Sequence, residues 1–260
     1  MEANNHYPAI KLLGVSVHSL AVPQLIEIIA SSIVRGERRI IANHNLHSIY
    51  IYHHCRKMRA FYDAAAYVFV DGMSLVLAGK FHGYALTRRD RLTYLDWMPF
   101  FLKSAEKNEW KIFYLGSKPG IAEKGAEILR AKYPKLRMVT RHGHFDASPQ
   151  SEDTRHVVLE ISKYRPHVLI AGMGMPRQEH WVIDCLQQLD ANVILNAGAY
   201  MDYIAGEIST PPRWLGQMGL EWLCRLAAEP GRLWRRYLVE PWFIARLLFR
   251  EVIRPSENRP

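Results

Sequence analysis

The sequence predicts an α/β fold: a Rossmann-like wound, mainly parallel sheet followed by a helical, Arg/Trp-rich C-terminal appendage. Short β-branched runs alternate with amphipathic helical stretches, the pattern of a wound sheet. Several of those runs end in a polar or glycine cluster, and strand signals stop near Pro211-Pro212.

In chain order, strands are expected at 11–17, 39–43, 67–70, 111–115, 137–140, 167–171 and 192–196. Pro23 opens a helix on which Leu25, Ile28, Ile29 and Ile33 recur at helical spacing. Gly120 precedes a helix running to about Tyr133, and Pro176 opens another that ends near Gln188. Residues 1–210 thus form an α/β domain and 211–260 a helical appendage, restarted by Pro230 and Pro241.

At 260 residues and 49% hydrophobic composition the chain can bury a full core, which excludes a disordered chain. A net charge of +9 points to an anionic partner: nucleic acid, a lipid surface or a phosphorylated substrate. Cys55, Cys185 and Cys224 lack CxxC spacing, which argues against a disulfide framework and fits a reducing cytoplasm. Residues 1–8 carry no basic stretch followed by an apolar one, so no secretory signal is expected. No apolar run approaches the roughly 20 residues needed to span a bilayer.

The segment 213–254 contains eight arginines, no lysine and four of the seven tryptophans. Arg246, Arg250 and Arg254 repeat every four residues, with Phe243, Leu247, Phe249 and Ile253 beside them. Arginine with interfacial aromatics suits an anionic headgroup layer; the alternative is an ordinary amphipathic helix packed on the domain. No nucleic-acid reading motif accompanies the charge.

In an open parallel sheet, ligands bind beyond the carboxyl ends of the strands. Asn43-His44-Asn45, Asp71-Gly72, Gly116-Ser117, Gly172-Met173-Gly174 and Asn196-Ala197-Gly198 would line one such crevice. Each taken singly is also an ordinary tight turn. Asp71, at a strand end, can accept the proton of an attacking hydroxyl or serve as a helix N-cap before Met73. Arg91, in the run Arg88-Arg89-Asp90-Arg91, suits a diphosphate leaving group, or a solvated loop. In Gly172-Met173-Gly174-Met175-Pro176-Arg177-Gln178-Glu179 the third glycine of a dinucleotide fingerprint is missing. Gln178 could read an amide-bearing base or a sugar hydroxyl there. The histidines His44, His47, His53, His54, His142 and His144 lack companion ligands at metal-site spacing, and no Asp-x-Asp pair is present.

In shared order, several motifs resemble the WecG/TagA/CpsF glycosyltransferases: Asn43-His44-Asn45, Val70-Asp71-Gly72-Met73, Arg91 to Asp96, and Tyr114-Leu115-Gly116 with Pro119-Gly120. The resemblance continues through Gly172 to Glu179, Asp202 with Ala205-Gly206, and Gly219 to Pro230. It implies an inverting transferase without metal or cofactor, peripheral on the cytoplasmic face of the plasma membrane and drawn to its anionic surface. A UDP-sugar (N-acetylmannosamine, its uronic acid or glucose) would be the donor and an undecaprenyl-diphosphate-linked sugar the acceptor. Asp71 matches the base, with Arg91, Asn45 and Asn43 completing the catalytic set. Gly116, Gly172, Gly174, Gln178, Glu179, Arg225, Arg232 and Arg235 match substrate-binding positions. Asn43 stands where many members carry threonine, and Asp90-Arg91-Leu92-Thr93-Tyr94 lacks the usual glycine. A nucleotide-binding oxidoreductase and a noncatalytic membrane-surface scaffold remain as alternatives, and homo-oligomerisation is left open.

Overall fold

The computed structural model describes residues 7–210, 215 and 221–253. Eight strands form one sheet: β1 (Ala9–Leu12), β2 (Val15–His18), β3 (Arg39–His44), β4 (Ala65–Val70), β5 (Lys111–Gly116), β6 (Arg137–Arg141), β7 (Val168–Gly172) and β8 (Val193–Asn196). Their spatial order is β1-β2-β4-β3-β8-β7-β5-β6, with only the β1–β2 pair antiparallel. The strand expected at 11–17 is instead a hairpin. Leu13 and Gly14 both take positive φ, 54° and 74°, and reverse the chain between β1 and β2.

Alternation along the strands sends side chains to two cores. Val68, Val70, Phe113, Leu115, Leu169 and Ile194 face one core. It is covered by α2 (Leu46–His54), α3 (Arg56–Asp63), α4 (Met73–Phe81), α7 (Glu152–Tyr164) and α8 (Arg177–Cys185). Tyr67, Phe69, Ile112, Tyr114, Ile170 and Leu195 face the other. Here α1 (Val22–Val34), α5 (Tyr94–Lys107), α6 (Ile121–Lys132) and α9 (Tyr200–Ile204) close the layer. The helices expected from Pro23, Gly120 and Pro176 are α1, α6 and α8, the last ending before Gln188.

Beyond β8 the regular elements of the described residues are helices alone: α9, then α10 (Glu221–Ala228), α11 (Pro230–Trp234), a π-helical turn (Arg235–Val239) and α12 (Glu240–Ile253). Pro211, Pro212, Arg213, Trp214, Gly219 and Arg254 lie outside the described residues, as does the Arg232 side chain. Helix α12 is anchored to the α/β core at both ends. Phe243 packs on Tyr50, His53 and His54 of α2, and Ile244 is buried. Glu251 accepts hydrogen bonds from the Leu13 and Gly14 amides, 3.3 and 3.0 Å, and pairs with His82 at 2.9 Å. Phe243 and Leu247, expected on the lipid side, therefore pack inward. Trp242 (77% exposed), Phe249 (66%) and Ile253 (61%) point outward with Arg246 and Arg250. No described helix is long and apolar enough to cross a membrane.

The carboxyl ends of β5 and β7 approach so closely that side chains are excluded. A Cβ on Gly116 would lie 2.3 Å from the Gly172 carbonyl oxygen, and one on Gly172 would lie 2.2 Å from the Tyr114 hydroxyl. The Gly116 clash is with backbone, which cannot swing aside. Gly116→Ala is expected to cost about 1–3 kcal/mol, read as a lower urea midpoint, whereas Gly36→Ala, in open space but at φ +65°, tests backbone strain alone.

Candidate active site

The chain leaves the adjacent strands β3 and β8 toward opposite faces of the sheet, to α2 on one and α9 on the other, and the crevice over that switch point collects the polar strand ends. On one side stand β3 and β4, paired in parallel with Asn43 opposite Phe69 and His44 opposite Val70. The Asp71 amide extends this ladder by donating to the His44 carbonyl at 2.8 Å. Asn43 Nδ2 then donates to Asp71 Oδ2 at 3.0 Å, and Asn45 Nδ2 approaches the same oxygen at 3.5 Å. Asn45 is itself fixed as the N-cap of α2: its Oδ1 accepts from the Ser48 amide, and its own amide donates to Ser48 Oγ. Asp71 does not cap α4, whose N-cap is Gly72.

Beneath this turn His44 is buried and stacked on Tyr62, ring centroids 3.8 Å apart. Burial, with the neighbouring His53, pushes its pKa down to about 3, so the ring is neutral packing. Tyr62 donates to the Asn43 carbonyl at 2.9 Å. The charges of Asp71 and Glu179 both act on the buried Tyr62 and Tyr94 hydroxyls, whose pKa values burial raises first and most. Arg91 joins this wall through a bridge to Val70 and is bonded to Asp96 at 3.1 Å.

Across the crevice, Gln178 and Glu179, which the family resemblance matches to substrate-binding positions, are both buried, 1% and 0% exposed. Gln178 Oε1 accepts from the Gly174 and Gly198 amides, 3.0 and 3.2 Å, tying the loop after β7 to the loop after β8. Its Nε2 donates to Glu179 Oε1 at 2.8 Å, and Asn196 Nδ2 donates to the same oxygen at 2.9 Å. Both amide side chains are thereby oriented by one carboxyl group. Glu179 Oε2, Asn196 Oδ1, Asn43 Oδ1 and the Tyr94 hydroxyl are buried without a hydrogen-bond partner. Gly116 and Gly172 pair in register beside this network, and Ser117 links to Asp202: Ser117 Oγ donates to Asp202 Oδ2 at 3.1 Å. Burial raises the Asp202 pKa against that bond.

From the C-terminal helices, Arg225 Nε donates to the Tyr203 hydroxyl at 2.6 Å. Burial lowers its proton affinity, but Tyr203, Tyr237 and Asp71 outweigh that effect. Arg236, which the sequence reading did not single out, also senses the Asp71 charge, whereas Arg235 is exposed over the Trp234 ring. Adjacent arginines lie about 100° apart on an α-helix, and the wider π-helical turn shifts that phase further. Helical spacing alone therefore does not tell which of the pair faces the crevice. Among the described residues, no three His, Cys, Asp or Glu side chains group as metal ligands.

Comparison with known proteins agrees with this architecture. The glycosyl transferase WecG/TagA/CpsF family model matches residues 10–258. Similar proteins include the N-acetylglucosaminyldiphosphoundecaprenol N-acetyl-beta-D-mannosaminyltransferases of Staphylococcus aureus strains NCTC 8325 / PS 47 and COL. Each is 24% identical over 245 residues, spanning 90% of this chain and 91% of the relative. The chain belongs to the WecG/TagA/CpsF family and is a glycosyltransferase, which displaces the oxidoreductase and scaffold alternatives.

Glu179 supplies a pH test of the network. Burial raises its pKa, outweighing the bonds from Asn196 and Gln178. A raised folded-state pKa means that the stability from protonation is complete below the ordinary glutamate value of about 4.3 and is lost as pH rises through the raised value. Glu179→Gln keeps an acceptor for both amides but cannot ionise. Urea titrations from pH 4 upward should show a flatter fall in stability for this variant; a decline as steep as wild type would assign the pH dependence to another group.

Proposed function

We propose that this glycosyltransferase moves a hexose-type sugar from a UDP-sugar to an undecaprenyl-diphosphate-linked sugar, with inversion, in bacterial surface polysaccharide synthesis. The observation that carries the reading is Asp71: a carboxylate at the switch point, aligned by Asn43 and Asn45 and within electrostatic reach of Arg225 and Arg236. In a single displacement the acceptor hydroxyl attacks the anomeric carbon while the bond to the donor phosphate breaks. Asp71 takes the hydroxyl proton as the new glycosidic bond forms. The departing UDP takes the bonding electrons, and Arg91, Arg225 and Arg236 balance the charge that develops on it. Attack opposite the leaving group inverts the anomeric centre. The names of the relatives make an N-acetylmannosamine donor with a GlcNAc-diphosphoundecaprenol acceptor the first pairing to assay.

A panel of UDP-sugars with a short-chain lipid-diphosphate acceptor, read by mass spectrometry, tests the reaction. With the active donor, Asp71→Asn is expected to lower kcat on the order of 10²–10⁴-fold while UDP affinity and melting temperature stay near wild type. A folded Asp71→Asn enzyme with near-normal turnover would remove Asp71 as the base.

The 1–210 portion would carry this chemistry and the C-terminal helices would complete the site and rest on the anionic cytoplasmic face of the membrane. Trp242, Phe249 and Ile253 offer apolar area there, flanked by Arg246 and Arg250. Each basic residue near an anionic surface contributes roughly 1 kcal/mol. Arg246→Gln with Arg250→Gln should therefore weaken binding to phosphatidylglycerol vesicles about thirtyfold, with the deficit shrinking at high salt. Turnover of the soluble acceptor should persist. Unchanged vesicle binding in this variant and in Trp242→Ser with Phe249→Ser would exclude the outer face of α12 as the contact.

A further inference from the structure

We propose that Glu240 and His47 are a positioning pair that seats the C-terminal segment on α2 and thereby fixes the turn that carries Arg236; this assignment rests on the transferase reading above. Glu240, the first residue of α12, is 6% exposed, and both its oxygens lie within reach of His47 Nδ1, at 2.8 and 3.0 Å. A carboxylate removed from water is tolerated when it is paired, and removing one partner strands the other. The pair therefore favours one seating of the segment over others.

Its two ends are built into the candidate site. His47 stands in the first turn of α2, two residues beyond Asn45, the N-cap whose amide faces Asp71. Glu240 directly follows the π-helical turn that carries Arg236. Burial lowers the proton affinity of Arg236, and Arg225 adds to that, while Tyr237, Glu240 and Asp71 act against it. Arg236 is thus within electrostatic reach of one carboxylate held by His47 and of another held by Asn43 and Asn45. The other anchor of α12, Glu251 on the Leu13-Gly14 turn and His82, holds the same helix at its far end. That second anchor separates simple docking from positioning.

The test is a double-mutant cycle in the full-length enzyme, using the active UDP-sugar and the short-chain acceptor. Glu240→Gln is expected to lower kcat by ten- to about a hundredfold, the effect of a group displaced by roughly 1 Å. The donor KM should change less than threefold. In an Arg236→Ala background, Glu240→Gln should cause no further loss, because its effect runs through Arg236. Glu251→Gln, which loosens the other end, should lower kcat equally in both backgrounds or not at all. A wild-type kcat for Glu240→Gln or for Arg236→Ala overturns the assignment, and so does an undiminished further loss from Glu240→Gln in the Arg236→Ala background. Should no sugar of the panel turn over, the reaction assignment fails by itself. The seating is then read by hydrogen exchange: faster exchange at 235–244 in Glu240→Gln and His47→Gln supports it, and unchanged exchange overturns it.

Discussion

The candidate site depends on one register. In β3 and β4, Asn43 lies opposite Phe69 and His44 opposite Val70, and the Asp71 amide closes the next rung on the His44 carbonyl. A slip by one residue would turn Asn43 to the other face of the sheet and carry the buried His44 ring into the crevice. Tyr62 opposes that slip twice over: its ring stacks on His44, and its hydroxyl donates to the Asn43 carbonyl. Packing below the turn thus fixes the amides above it. Those amides orient Asp71 without neutralising it, since a neutral N–H donor leaves the carboxylate its charge.

The opposite wall solves a different problem, holding two glycine-bearing loops at fixed separation. Gln178 does so with a single oxygen that accepts from Gly174 and Gly198. The amide cannot flip at low cost, because Glu179 Oε1 requires donors from both Gln178 and Asn196. Reversing either amide would set two acceptors against each other in a buried place, a loss of about 1–3 kcal/mol. A buried glutamate is thereby tolerable: it specifies two side-chain orientations at once and, through them, the shape of the crevice floor.

Much of this was legible in the sequence because local chemistry and global topology agree. The apolar runs before Asn43, Asp71, Gly116, Gly172 and Asn196 end where the parallel strands end, so their polar terminators converge. Where the sequence misleads, a nonlocal contact decides. The hairpin of β1 and β2 carries one glycine, and its positive-φ leucine gives no turn signal. For Gln178 and Glu179, motif position gives no sign of the bonds by which they brace the loops after β7 and β8. The choice between Arg235 and Arg236 rests on a π-helical turn, and the inward rotation of Phe243 and Leu247 on contacts to α2.

The terminal helix then acquires a reason for its two apolar stripes. A surface helix normally needs one, the face that meets the core, and α12 uses Phe243, Ile244, Leu247 and Leu248 for that purpose. Its second stripe of Trp242, Phe249 and Ile253 has no counterpart on this chain among the described residues and lies beside Arg246 and Arg250. On the proposed reading, the inner face and Glu240 set the arginines over the crevice while the outer face meets lipid. Any force that presses the helix against the core would then favour the seated position of Arg236. Contact with the surface that bears the acceptor and assembly of the charge that stabilises the leaving group would be the same event.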